Sequence, residues 1–348
     1  MQSFFGCTRA EMAEALGSPP RAIRLYKAVY QKHIDDFARM ATPSPTDRSA
    51  ARERFDLKLP AVVNRFKSSD GARRLLIRLH DGETVESVLI PEEDRFTFCI
   101  SSQIGCGLAC QFCLTGLMGL TRNLAAGEIV AQVLLLEKEI SSESTDRFSI
   151  VFMGMGEPLQ NYESVLKAIE ILTDDHGLGL SLRRITLSTA GLLPGIERLA
   201  REKLFPNLSI SLTGATNELR NELMPINQKY PIQDVVDAVR RLPEKHRKRV
   251  MFEYVMLKGI TDSLDDAERL ARLLQGLRSK VNLIPLNESP EIPFQRSERS
   301  DILEFQKVLI RNGIATFIRR NRGNEVSAAC GQLARAPEVK RDRQPKTG

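Results

Sequence analysis

Four of the six cysteines in this 348-residue chain fall between Cys99 and Cys113. Three of them, Cys106, Cys110 and Cys113, are spaced C-x3-C-x2-C, which lets three thiolates wrap one compact metal centre. The chemistry turns on the ligand that is missing. A structural zinc site is closed by four N or S ligands, and a C-x-x-C pair is normally answered by a second pair. None follows here, and His33, His80, His176 and His246 are scattered singly. Iron–sulfur clusters are held by Cys thiolates, usually four. With three, one iron keeps an open position at which another molecule can bind. Competing readings are a disulfide, a zinc knuckle or three unconnected thiols. The N-terminus lacks the basic region and apolar core of a secretory signal, which counts against disulfides, and the ligand count weighs against zinc.

Other residue types suit a ligand site. Gly154-Met-Gly-Glu-Pro158 has a Gly-x-Gly pair that lets backbone approach a ligand closely, and Glu157 offers a carboxylate to an ammonium group. The plain alternative is a tight turn with an exposed Glu. Ser188, Ser211 and Asn287 taken singly read equally well as strand caps. Glu86 alternates with Val85, Ser87 and Val88 and by pattern alone faces water. Cys330 lies among Ala328, Ala329 and Gly331, neighbours small enough for a thiol that something large approaches. An isolated Cys is more often a small buried hydrophobe. No role is assigned to Cys7.

The elements that must position these residues follow a regular rhythm. Apolar strands are expected at 96–101, 148–153, 184–188, 207–212, 250–257 and 280–286, with a final strand at 314–319. Helical periodicity fills 125–140, 162–174, 194–203, 232–242, 263–277 and 299–312. Alternating β and α implies a parallel sheet flanked by helices; periodicity does not decide between a partial barrel and an open doubly wound sheet. In either, ligands sit at the carboxyl ends of strands. The cysteine loop, Gly154–Pro158, Ser188–Gly191, Ser211–Gly214 and Pro285–Asn287 all follow strands, so they converge on one rim. Ahead of this lies a helical segment, 1–66, with a capping-box spacing at Thr8–Glu11, helices expected at Ala22–Tyr30, Ile34–Met40 and Asp47–Phe55, and a connector, 67–95, read as a hairpin around Asp81-Gly82. The barrel region spans 96–334, and a basic tail, 335–348, is expected to be disordered.

Composition is that of an ordinary globular protein, 42% hydrophobic and 27% charged. No apolar run approaches the ~20 residues of a membrane span. The net charge is +6. Arg240–Arg249 carries six fixed cations against one acid, and Arg319, Arg320, Arg322, Lys340, Arg341, Arg343 and Lys346 add more. Such clusters are either a solvated face or a phosphate-backbone contact.

With these residues in view, the chain resembles the RlmN/Cfr family of radical-SAM RNA adenosine methylases, closer to the RlmN branch; SAM is S-adenosylmethionine. The resemblance runs from about Arg74 to Leu333, and its matching stretches are Cys99–Cys106, Met153–Leu159, Leu187–Gly191, Met224–Pro231, Asn282–Pro285 and Ala328–Leu333. It implies an α/β fold, a partial (β/α)6 barrel behind an N-terminal helical accessory domain and β-hairpin. It also implies one 4Fe–4S cluster on Cys106, Cys110 and Cys113, and SAM held by Gly156, Glu157, Ser188, Ser211, Leu212, Thr213 and Asn287. Cys330 becomes the methyl-carrying cysteine, Cys99 the one that resolves a protein–RNA adduct and leaves a disulfide, and Glu86 the proton acceptor. The implied reaction consumes two SAM per methylation of adenosine C2 in 23S rRNA, with tRNA as a further substrate; C8 methylation or a non-RNA substrate are the alternatives. The implied setting is a cytoplasmic monomer served by flavodoxin or ferredoxin, with no membrane partner. One departure stands out: Thr213 occupies the position where this family usually has His.

Overall fold

Ten strands join in one sheet, in the spatial order Ala315–Ile318, Lys280–Pro285, Val250–Met256, Asn207–Ser211, Ile185–Thr189, Phe148–Phe152, Phe96–Cys99, Thr84–Pro91, Arg73–Arg78 and Ala61–Lys67. The first seven are parallel to their neighbours. The last three are antiparallel. This computed structural model describes residues 1–140, 147–248, 250–277, 279–319, 322–326 and 330–333. The expected basic tail, 335–348, lies outside the described residues, as do Arg249, Arg320, Asn321 and Ser327–Ala329.

The parallel strands form because each apolar run is followed by a helix long enough for a crossover. The helices are Ala126–Ile140, Tyr162–Thr173, Leu193–Leu199, Ile232–Arg241, Leu264–Leu273 and Arg299–Arg311. Ile150, Phe152, Leu187, Leu208, Ile210, Phe252 and Tyr254 are buried in the core. Strands of a parallel sheet covered on both faces read as nearly continuous apolar runs. Here the alternate positions are Thr186, Ser188, Ser209, Ser211, Glu253 and Asn282, so the second face is a polar lumen. The sheet stays open: among the described residues Ala315–Ile318 pairs only with Lys280–Pro285. The fold is a partial barrel, as the family resemblance implies.

Differences from the sequence expectations lie at the front. The segment Ile34–Met40 makes only the single turn Phe37–Arg39, where Asp36 accepts the Ala38 N–H at 2.9 Å and starts a turn too short to propagate. The next helix begins at Pro45, two residues before the expected start, because Ser44 caps it and Pro fits the first helical position. Ala61–Lys67 is a strand inside the segment read as helical. It is mostly exposed, and its backbone pairing with Arg73–Arg78 holds it in place. The hairpin turns at Gly82 (φ +87°) as expected. Its second strand pairs with the first barrel strand, Val88 opposite Cys99, so barrel and hairpin share one sheet.

The N-terminal helix Arg9–Leu16 has both capping-box bonds, Glu11 N–H to Thr8 Oγ1 at 3.2 Å and Thr8 N–H to Glu11 Oε2 at 2.8 Å. Phe4, Tyr26 and Tyr30 cluster beneath it. Cys7 is buried there and is a core residue. Arg9–Asp174 and Lys167–Glu11 ion pairs, at 2.8 and 2.7 Å, tie this part to the barrel.

Candidate active site

The cysteine loop is closed at its base by a two-stranded ribbon, Gln103–Gly105 against Leu120–Asn123. The Cys106 N–H donates to Gly119 O at 2.9 Å. Gly105 adopts φ +75°, and a Cβ there would lie 1.9 Å from Gly119 O, so only glycine closes this ribbon. The thiols of Cys106, Cys110 and Cys113 line one cavity of about 180 Å³. Among the described residues no three His, Cys, Asp or Glu side chains gather as ligands of a single metal ion. The thiols instead share a wall. Burial pushes Cys106 up to about 12 and raises Cys110 and Cys113 as well. A thiolate-binding metal centre would reverse that preference.

Beside the loop lies a cation with no acid paired to it among the described residues. Arg220 is fully buried and donates to Leu212 O (2.7 Å), Ala190 O (2.6 Å), Ser211 O (3.2 Å) and Asn227 Oδ1 (2.8 Å), all neutral oxygens. Burial lowers its pKa to about 10. Its helix, Asn217–Leu223, is docked on the cysteine loop by the Gln111 N–H bond to Leu223 O at 3.0 Å. Three thiols without a fourth N or S ligand, next to an uncompensated guanidinium, fit a group that carries negative charge. A three-thiolate iron–sulfur cluster is such a group.

The turn after the second barrel strand packs directly on this loop. Met155 N–H donates to Ser101 Oγ (2.9 Å), and Glu157 N–H to Gln103 Oε1 (2.8 Å). Gly156 has φ +102°, and a Cβ there would sit 2.5 Å from Gln103 Cβ. What crowds Gly156 is therefore Gln103, where the sequence suggested a ligand. Glu157 is buried, its Oε1 accepting from Leu159 N–H at 3.0 Å and its Oε2 from Ala190 N–H at 2.8 Å. Burial drives its pKa to about 7 against these bonds.

Gly156, Glu157, Ser188, Ser211, Asn287 and Cys330 line the cysteine cavity. Leu212 and Thr213 are not on its wall: Leu212 is fully buried in the core, and Thr213 Oγ1 accepts the Val255 N–H at 3.3 Å. A larger cavity of about 660 Å³ adjoins it, with Cys99 on its wall. Cys330, Asn287, Glu253, Arg319, Met153 and Ile284 line both, so they mark the junction. Asn287 Nδ2 donates to Cys330 O at 3.0 Å. Leu114 N–H donates to Gly331 O and Thr115 Oγ1 to Leu333 O, at 2.8 and 2.6 Å, stitching the Cys330 segment to the residues after Cys113. Burial pushes Cys99 up to about 12; Cys330 adds to this and Arg319 opposes it. Arg319 is in turn raised, first by the Cys330 sulfur and further by Glu253 and Cys99.

Glu86 is fully buried and ion-paired with Arg74 rather than facing water. It shares a sheet face with Val88 and Cys99 but lines neither cavity. All six cysteines are free thiols. The expected disulfide is corrected accordingly: Cys99 and Cys330 are not bonded in this fold. Within the basic run, Arg240 pairs with Asp237, Arg241 with Glu197 and Lys248 with Glu244. Much of its charge is thus answered locally. No helix among the described residues is long and apolar enough to cross a membrane.

An open (β/α) barrel with a three-cysteine loop after its first strand and a Gly-Glu-Pro turn after its second is the arrangement of a radical SAM enzyme, and residues 100–274 match the Radical SAM superfamily. The chain is 43% identical over 346 residues to the dual-specificity RNA methyltransferase RlmN of Nitratiruptor sp., covering 96% of this chain and 98% of that one. It is 47% identical over 319 residues to the RlmN of Geobacter sulfurreducens, covering 90% and 85%. A crystal structure of a radical SAM methyltransferase from Sphaerobacter thermophilus superposes with a TM-score of 0.91 at 41% identity, over 96% of this chain and 99% of that one. The chain belongs to the RlmN family.

Gln103, Arg220, Glu253 and Arg319 are site residues that sequence reasoning missed. The available signal was polar alternation inside apolar strands at Ser209, Glu253 and Asn282, which marks a lumen-facing row.

Proposed function

We propose that this protein methylates C2 of adenosine in RNA, 23S rRNA and also tRNA, using Cys330 as methyl carrier. One observation carries the reading: Cys330 lines both the cavity of the cluster thiols and the larger cavity beside Cys99. A group moved from SAM to a nucleobase needs a carrier at that junction.

Cys106, Cys110 and Cys113 would hold one 4Fe–4S cluster, and Gly156, Glu157, Ser188, Ser211 and Asn287 one SAM at a time, two being used per methylation. When bound, cluster and SAM supply hydrogen-atom abstraction, which C2 of adenine requires because it lacks a lone pair for simple methyl transfer. The remaining steps belong to the protein. Cys330 accepts the methyl group from the SAM sulfonium and presents it to the base, to which it becomes joined. Glu86, buried on the sheet face of Cys99 but outside both cavities, takes the C2 proton only once its pair with Arg74 opens and its side chain turns toward the larger cavity. Cys99 attacks the Cys330 sulfur: an S–S bond forms between the two cysteines as the carbon–sulfur bond to the RNA breaks, and the released carbon takes a proton to become the methyl group. A thiol reductant must return both cysteines to the free thiols seen here before the next turnover.

Nucleoside mass spectrometry of rRNA and tRNA from a deletion strain tests this. Loss of 2-methyladenosine from both supports it; loss of 8-methyladenosine, or no change in either RNA, refutes it.

A further inference from the structure

Glu253 stands at the junction of the two cavities, in the middle of the strand Val250–Met256, in register with Ser211 on one side and Asn282 on the other. It is 3% exposed. Its Oε1 accepts from Ser209 Oγ at 2.8 Å and from Asn282 Nδ2 at 3.1 Å, which fixes the carboxylate. Its Oε2 is buried and has no hydrogen-bond partner among the described residues. A second acceptor, Asn287 Oδ1, is also buried without a partner among the described residues, and Asn287 lines the same two cavities. Arg319 lies close enough for its charge to be felt, but its side-chain hydrogen bond goes to Met153 Sδ at 3.5 Å.

Buried polar atoms are nearly always paired, and leaving one unpaired costs its full desolvation. Two such acceptors on residues that line one junction, one of them a carboxylate, describe a subsite for a ligand that brings hydrogen-bond donors and reaches them by a small side-chain turn. An apolar ligand would leave both orphaned. A carbonyl-bearing one, such as the O6 edge of guanine, would be repelled.

We propose that Glu253 Oε2 is a hydrogen-bond acceptor for an adenosine, and that together with Asn287 Oδ1 it selects the adenosine donor groups. The proposal rests on the reading of the site as a place where SAM meets a target adenosine. The donor is either an exocyclic N6 amine or a ribose hydroxyl, and it belongs either to SAM or to the RNA base. Where the donor is the N6 amine of the RNA base, a base presenting O6 at that point leaves both acceptors unmatched, and unmatched buried polar groups discriminate more strongly than packing does. A ribose hydroxyl would hold the nucleotide without distinguishing its base.

The test is binding to the cluster-loaded enzyme, wild type against Glu253→Gln, an amide of nearly the same shape. SAM affinity is measured by calorimetry. RNA affinity is measured by fluorescence anisotropy, with S-adenosylhomocysteine present, on a hairpin bearing adenosine or purine riboside (which lacks the N6 amine) at the target position. We expect about a tenfold loss, equivalent to ~1.4 kcal/mol, for one of the two ligands. A loss for SAM alone identifies the cofactor. A loss for the adenosine hairpin, with the purine riboside hairpin unaffected, identifies the base amine. Ser209→Ala, which keeps the carboxylate but removes one bond fixing it, should weaken the same ligand by a smaller factor; it carries the test if Glu253→Gln does not fold. Losses under about twofold for both ligands in both variants overturn the proposal. Failure of the wild-type enzyme to bind SAM at all overturns the parent reading, and this one with it.

Discussion

Glu157 and Ala190 are joined across two barrel strands, the Ala190 N–H donating to Glu157 Oε2 at 2.8 Å. That bond sets the carboxylate on the wall of the cysteine cavity, at the carboxyl ends of the second and third barrel strands. It also leaves Glu157 buried, with burial raising its pKa from 4.5 to about 7.

The raised value makes a pH prediction. Between pH 4.5 and 7 the folded protein keeps a proton that the unfolded chain has released, so stability is full below 4.5 and falls as pH rises through 7. At about 1.4 kcal/mol per pKa unit, the loss is on the order of 3 kcal/mol. Urea unfolding of cluster-free protein at pH 4.5 and 7.5 measures it. Glu157→Gln should flatten this part of the slope. If wild type and Glu157→Gln change in parallel, the carboxylate is not strained by burial.

Gly156→Ala and Gly119→Ala separate crowding from backbone strain. Both glycines have positive φ, +102° and +72°, but a Cβ at 119 meets nothing within 4 Å while one at 156 meets Gln103 at 2.5 Å. Gly119→Ala should cost about 1 kcal/mol. Gly156→Ala should cost about 3 kcal/mol and should weaken SAM binding, because the clash must displace either Gln103 or the turn carrying Glu157. Equal costs in chemical denaturation would remove the packing explanation.

Much of this site was legible because its chemistry is local in sequence. Cys106, Cys110 and Cys113 lie within eight residues, and the β/α rhythm places the loops after each strand on one rim. What stayed hidden depends on tertiary convergence. Glu86 alternates like a surface residue, yet the structure buries it against Arg74. Arg220 reads as one more helical cation, yet it donates to the ends of two strands. Ala61–Lys67 carries only a weak apolar stripe, Val62 and Phe66, because an edge strand that is largely exposed meets the core at few positions.

Arg220 supplies a third prediction. Arg220→Met removes the cation but leaves the carbonyls of Ala190 and Leu212 buried without donors, so a loss of about 3 kcal/mol is expected in urea unfolding. Arg220→Lys restores the charge without the fork and should recover only part of it. Full recovery by Lys would mean that charge alone matters at this position.

Iron content tests the cluster ligands. Anaerobically reconstituted protein should carry close to four irons, the number in one 4Fe–4S cluster. Single Ala substitutions at Cys106, Cys110 or Cys113 should lose them, while Cys99→Ala and Cys330→Ala should keep them. Stoichiometric zinc with no iron chromophore would refute the assignment.

Cys99 and Cys330 are both thiols at the larger cavity, and the proposed chemistry assigns them different tasks. Cys330 must accept the methyl group, so Cys330→Ala should show no methylated cysteine by peptide mass spectrometry and no methylated RNA. Cys99 is assigned only the release step. Cys99→Ala should therefore still carry the methyl on Cys330 and still join the RNA, then stall as a covalent conjugate. Cys99 is buried, and burial pushes its thiol up to about 12. Arg319 opposes that burial effect, so Arg319→Gln should push the thiol up further and accumulate some of the same conjugate. A denaturing gel of Cys99→Ala expressed in cells should show an RNase-sensitive band above the free protein, absent from the Cys99→Ala/Cys330→Ala double variant. Normal turnover by Cys99→Ala, with no retained RNA, would leave Cys99 as an ordinary core thiol and return the release step to some other group.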